Sequence, residues 1–141
     1  MTSDLTLKAI RAYIQAHASA ELALLDIYID GDQFELLPPF LDLTITGSKE
    51  HEVLRGVIEF SVQARIATVP RSANGTTTEI TSAMSDQLYD ILGDYETIVS
   101  WSDTNMTDLR IFHVGDYGME TTSENDITIS MITFTVTSSK L

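Results

Sequence analysis

The sequence predicts an α+β domain, and three observations predict it. The run from Ile58 to Val69 alternates, with Ile58, Phe60, Val62, Ala64 and Ile66 on one side and Glu59, Ser61, Gln63, Arg65 and Ala67 on the other. That is the period of a strand with one buried and one wet face. A shorter alternating strand precedes it, and a capped amphipathic helix follows it directly. At 141 residues and 43% hydrophobic, the chain has the material for one core, so residues 1–141 are read as a single domain.

Taken in order, Ser3 or Asp4 can cap a first helix that runs to about Ala18. Its stripe is Leu7, Ile10, Ile14 and Ala18, widened by Tyr13, with Lys8, Arg11 and Gln15 in water. His17 falls in its last turn, where a positive ring complements the helix dipole. Residues 21–29 leave helix and strand open, because Leu22 to Leu25 favour helix and Ile27 to Ile29 favour strand. Asp30-Gly31-Asp32 reads as a turn. As a calcium loop counted from Asp26 it fails, since Leu37 occupies the twelfth position where the ion needs a carboxylate.

After Pro38-Pro39, Leu41, Leu43 and Ile45 alternate with Asp42, Thr44 and Thr46 as a half-buried strand. The polar run Gly47, Ser48, Lys49, Glu50, His51 and Glu52 is expected to be the hairpin loop, with the next strand region opening at Val53. Gly56 is expected to mark a bulge. Pro70 to Gly75 reads as a loop. Thr76-Thr77-Thr78-Glu79 is a capping box for a second helix, with Ile80, Met84, Leu88, Ile91 and Leu92 buried and Ser82, Asp86 and Asp90 in water. Gly93 stands where a left-handed residue is cheap.

Tyr95 to Trp101 suggests a short strand, Ser102 to Thr107 a polar turn, Leu109 to Val114 a strand with neighbours on both faces, and Gly115 to Gly118 a turn. The chain closes with Ile127, Ile129 and Met131, then Ile132, Phe134 and Val136 in an alternation shifted by one residue, which predicts a bulge in a long final strand.

Eight Lys and Arg against 21 Asp and Glu give a formal charge of −13 and a pI near 4.3. Phosphate binding needs basic groups, so this balance excludes ordinary DNA binding. With no cysteine, disulfides, thiolate metal sites and cysteine nucleophiles are excluded. No apolar run approaches the roughly 18 residues of a membrane span, and Met1-Thr2-Ser3-Asp4 lacks a basic leader, so a soluble protein made without an export signal is expected.

His17, His51 and His113 sit on separate elements with no second ligand at metal spacing, and no nucleophile elbow, phosphate loop or dinucleotide pattern occurs. Acid pairs such as Asp30 with Asp32, or Asp116 with Glu120, fall in turns, which collect Asp for backbone reasons. Trp101 reads as a core or interface anchor. No enzyme activity, cofactor or metal is expected.

The order of helix, long hairpin, capped helix and further antiparallel strands resembles the tail terminator, or tail completion, proteins of long-tailed bacteriophages. So do Leu37-Pro38-Pro39-Phe40-Leu41-Asp42-Leu43, the run Arg55-Gly56-Val57 into Ile58-Glu59-Phe60-Ser61-Val62, and the loop before the Thr76 to Leu92 helix. The resemblance covers about Leu5 to Val136. It implies an antiparallel or mixed sheet with two helices packed on one face and a long β-hairpin extension. It also implies a homo-hexameric ring that caps the finished tail tube, stops polymerisation and presents the head-tail joining surface.

The implied partners are further copies of the chain, the tail tube protein and a head-closure or connector protein. DNA passes through the lumen without specific binding, and no membrane is involved. The implied location is the virion neck, with assembly in the host cytoplasm. Candidate subunit or tube contacts are Gly47, Ser48, Lys49, Glu50, His51, Glu52, Arg71 and Asn74. Two other readings stay open: another neck or head-closure ring protein, and an α+β module that binds a small ligand or peptide on its sheet face.

Overall fold

In the computed structural model, which describes residues 2–30, 38–68, 77–124 and 127–141, the alternating run forms the central strand of a five-stranded sheet. The elements in chain order are α1 (Thr2–His17), α2 (Ala20–Ala23), β1 (Ile27–Ile29), β2 (Phe40–Glu50), β3 (Val57–Thr68), α3 (Thr77–Gly93), α4 (Tyr95–Asn105), β4 (Leu109–Glu124) and β5 (Ile127–Lys140). The sheet order is β1-β2-β3-β5-β4, with β1 parallel to β2 and every other pair antiparallel. The fold is α+β, as the sequence predicts, with a mixed but mostly antiparallel sheet.

One sheet face carries the core. Leu41 and Leu43 of β2, Phe60, Val62, Ala64 and Ile66 of β3, and Ile132, Phe134 and Val136 of β5 are all buried there. Leu7, Ile10 and Ile14 of α1, Met84, Leu88 and Leu92 of α3, and Ile98 of α4 close over them. Burying side chains of this size at roughly 1.5–3 kcal/mol each holds the helices on the sheet. The stripes expected for α1 and α3 occupy the core face, and Ser82, Asp86 and Asp90 are exposed. Helix α1 starts at Thr2, so Ser3 and Asp4 lie inside its first turn rather than capping it.

Residues 21–29 turn out to hold both elements left open, the end of one-turn α2 and then β1. Asp30 has φ 52°, in keeping with the start of a turn, while Gly31, Asp32 and Leu37 lie outside the described residues. So do Arg71, Asn74, the Pro70 to Gly75 loop and Thr76 of the capping box.

Several expectations are corrected. Tyr95 to Trp101 is helical, making a third long helix on the core face, and the helix continues through Ser102 to Asn105. Thr97, Ile98, Val99 and Trp101 are good strand formers, but Asp94 overrides them as an N-cap: its carboxylate accepts from the Thr97 amide at 3.3 Å and the Thr97 hydroxyl at 2.6 Å. Burial then falls on Ile98 and Ser102, one helical turn apart. Gly93 ends α3 without a left-handed φ, because Asp94 starts the next helix at once.

The hairpin loop is displaced. Gly47 to Glu50 are strand residues paired with Ile58 to Ser61, the loop is His51 to Gly56, and the bulge sits at Thr46, between Ile45 and Gly47. Gly56, at φ 77°, belongs to the turn itself.

Gly115 to Gly118 is no chain reversal but an irregularity inside β4, which runs on to Glu124. A second irregularity between Ile111 and His113 flips the phase, so Leu109, Ile111 and Val114 are buried while Phe112 and His113 are exposed. One face of that strand meets the core, not both.

Strand β5 has no bulge. Its pairing with β3 is unbroken from Thr128 to Ser139, and the buried series is Thr128, Ser130, Ile132, Phe134, Val136 and Ser138. The apparent slip arises because polar residues occupy the ends of the core face. Thr6 and Ser138 hydroxyls meet at 2.8 Å, Ser85 donates to Ser130 at 2.6 Å, and the Thr68 and Thr81 hydroxyls pair at 2.5 Å. Buried hydroxyls satisfied in this way carry no desolvation penalty.

Candidate functional site

Among the described residues, the two surfaces most unlike an inert exterior lie at opposite edges of the sheet. The first is the far end of the β2–β3 hairpin. Strand β1 pairs only with Leu41 to Leu43, so the outer side of β2 from Thr44 onward has no strand partner among the described residues. Every residue from Thr46 to Gly56 is exposed.

The loop is nevertheless organised. The His51 amide donates to the Val57 carbonyl at 2.8 Å, and His51 Nδ1 accepts from the amides of Val53 and Leu54, each at 3.2 Å. That arrangement turns Val53 and Leu54 outward, at 82% and 49% exposure. Lys49 stands beside Glu59 across the pair, 3.6 Å apart, an exposed contact of small energetic weight. Of the loop residues expected from the sequence, His51 and Glu52 are in the loop and Gly47, Ser48, Lys49 and Glu50 form the strand leading to it. Val53, Leu54 and Arg55 were not among them. An apolar pair flanked by charge at a hairpin tip was the available signal.

The second surface surrounds the junction of α3 and α4 beside edge strand β4. Tyr89 and Tyr95 are 36% and 41% exposed, and Asp86, Asp90, Asp94 and Glu96 are exposed around them. Tyr89 leans on Tyr117 at 5.6 Å between ring centres, and Tyr95 on His113 at 5.0 Å. The irregularity between Gly115 and Gly118, with Asp116 at φ 55°, aims Tyr117 toward the helices. There it stacks on Phe134 and donates its hydroxyl to the Leu92 carbonyl at the end of α3. Burial pushes the Tyr117 phenol up to about 12, with Tyr89, Asp94 and Tyr13 adding to the shift. Burial, then Asp94, also raises Tyr13.

The helix-free face of the sheet carries buried Asp42 bonded to Arg65 at 3.3 Å, with the guanidinium over the Phe40 ring. The alternation of β2 puts Asp42 on the face away from the core, yet it is 2% exposed. Arg65 and Phe40 cover it instead. Further along that face Gln63, Gly118, Met119, Glu120, Met131 and Thr133 line a shallow open depression of about 250 Å³. That is below the range of roughly 300–1,000 Å³ usual for small-molecule sites.

Among the described residues, no group of three or more His, Asp or Glu side chains is placed to hold a metal ion, and no helix is long and apolar enough to cross a membrane. His17 bonds to the Tyr13 carbonyl, His51 to its own loop, and His113 stacks on Tyr95. No protein-family model matches the chain, and no curated protein matches it.

Proposed function

We propose that the chain is a structural subunit of a homo-hexameric ring that caps the completed tail tube of a long-tailed bacteriophage. On this reading it stops tube polymerisation and forms the head-tail joining surface in the virion neck. The observation that carries it is the β2–β3 arm: an ordered hairpin whose exposed end presents Val53 and Leu54 to solvent. A monomer gains nothing by holding two apolar side chains outward on a loop braced by three hydrogen bonds, whereas an assembly subunit needs such a contact.

The element order supports the same reading, since helices on one face of a mostly antiparallel sheet with a long hairpin is what the resemblance implies. No bond is made or broken in this function. Six copies would concentrate six times the −13 charge of one chain, and an acidic lumen lets DNA pass without adhering. The partners on this reading are other copies of the chain, the tail tube protein and a head-closure or connector protein.

The test is to add the purified protein to polymerising tail-tube subunits and measure tube length and end decoration by electron microscopy. Short, capped tubes are expected. Tubes that elongate unchanged and never carry the protein at their ends would overturn the reading.

A further inference from the structure

His51 closes the hairpin tip through a single ring nitrogen. Its Nδ1 lies 3.2 Å from the Val53 amide and 3.2 Å from the Leu54 amide, and both of those groups can only donate. The ring is therefore neutral in this conformation, with Nδ1 the acceptor and the proton on Nε2. An acceptor that takes the amides two and three residues further on makes the bond pattern of an Asx turn, which Asn or Asp usually supplies. Here an imidazole supplies it, and an imidazole loses its acceptor when it takes up a proton.

The ring is exposed, so a proton reaches it without any opening of the fold. The charged groups that sequence and register place near it are Glu50, Glu52 and Arg55, the Lys49 and Glu59 pair on the two stems, and Lys140 of β5, next to the Ser139 that pairs with Val57. Once Nδ1 carries a proton, N–H groups face one another where two bonds stood. Of the three bonds that brace the loop, only that from the His51 amide to the Val57 carbonyl, at 2.8 Å, then survives.

We propose that the hairpin tip is a proton-gated element. Neutral His51 fixes Val53 and Leu54 in their outward setting, and protonated His51 releases them. Loop closure and the proton compete for one lone pair, so the tip is ordered at about pH 8 and loosened by about pH 5, across the range in which imidazoles change charge. Carboxylates ordinarily change charge near pH 4, below that range. The gate stands on the loop geometry; its consequence for assembly rests on the ring reading, in which the two apolar side chains are a contact that a neighbour meets. On that reading acid weakens association made through the arm.

The test is two-dimensional amide NMR on the full chain as wild type, His51→Asn and His51→Ala, between about pH 8 and about pH 5. Position 51 is exposed, so the amides of buried Val62 and Phe134 should be the same in all three. In wild type the Val53 and Leu54 amide resonances should move with the same midpoint as the His51 ring, and their hydrogen-exchange protection should fall about tenfold as the two bonds are lost. His51→Asn places an oxygen where Nδ1 stood and does not titrate, so it should hold both amides in place throughout. His51→Ala should show them released at every pH. Amides that stay put while the His51 ring titrates would overturn the gate. So would amides that move equally in His51→Asn, since the nearby carboxylates would then be the cause, and so would a ring proton found on Nδ1 at the upper end of the range. Sedimentation at both ends of the range reads the assembly consequence, with rings expected to dissociate in acid as wild type and to persist as His51→Asn. A chain that forms no ring at either pH would overturn the ring reading, and the amide resonances would still decide the gate.

Discussion

The Tyr117 hydroxyl donates to the Leu92 carbonyl across 2.5 Å, tying the irregular middle of edge strand β4 to the last turn of α3. Tyr117→Phe removes that donor while keeping the ring stack on Phe134, and should lower stability by about 1 kcal/mol at neutral pH. It should also change the alkaline limb. The phenol is raised to about 12 in the folded state, against an unfolded value near 10. Its stabilisation is therefore full below pH 10 and is lost as pH rises toward 12, because the unfolded chain releases its proton first. Urea midpoints at about pH 8 and about pH 11 should diverge less in Tyr117→Phe than in wild type.

The polar ends of the core face hold the helices in register. Ser85 donates to Ser130 and Thr81 pairs with Thr68, both across the α3–sheet contact. Ser130→Ala should cost about 1 kcal/mol. A double-mutant cycle with Ser85→Ala, followed by urea denaturation, should give non-additive losses, since the two hydroxyls form one unit.

Asp42 is 2% exposed beside Arg65. Arg65→Met should destabilise by about 3 kcal/mol, because it removes the cation and leaves the carboxylate in the sheet face. Asp42→Leu combined with Arg65→Met should recover much of that loss. Thermal melts of the two variants check both statements.

At the hairpin tip, open space surrounds Gly56, so only its backbone conformation resists a side chain. Gly56→Ala forces a left-handed alanine and should cost about 1 kcal/mol. Val53→Ser with Leu54→Ser touches no buried contact, and should leave the melting temperature unchanged while weakening self-association measured by sedimentation.

Much of this fold is legible in the sequence where one side chain pattern decides the outcome. The alternation through Phe60, Val62, Ala64 and Ile66, and the stripes of Leu7, Ile10 and Ile14 and of Met84, Leu88 and Leu92, are all buried as their spacing predicts. The pattern fails where a single polar group overrides local preference. Asp94 turns a strand-forming run into α4, and Thr128 and Ser130 disguise the continuous core face of β5 as a slip. Edge irregularities in β4 are invisible for a related reason. The one between Gly115 and Gly118 holds Tyr117 against Leu92, a contact 25 residues distant in sequence. The candidate site was half legible. The polar run named the arm, but placed the tip early, because Gly47 and Ser48 read as loop formers although β3 pairs with them. The second surface, at Tyr89 and Tyr95, depends on the helical geometry of α4, which the strand expectation hid.

The measurement that bears most directly on the central claim is negative-stain electron microscopy of the purified chain across a concentration series, alone and mixed with unfinished tails. Sixfold rings, free in solution and seated on tube ends, are the predicted result. Particles that remain single subunits at every concentration and leave tube ends bare would contradict it.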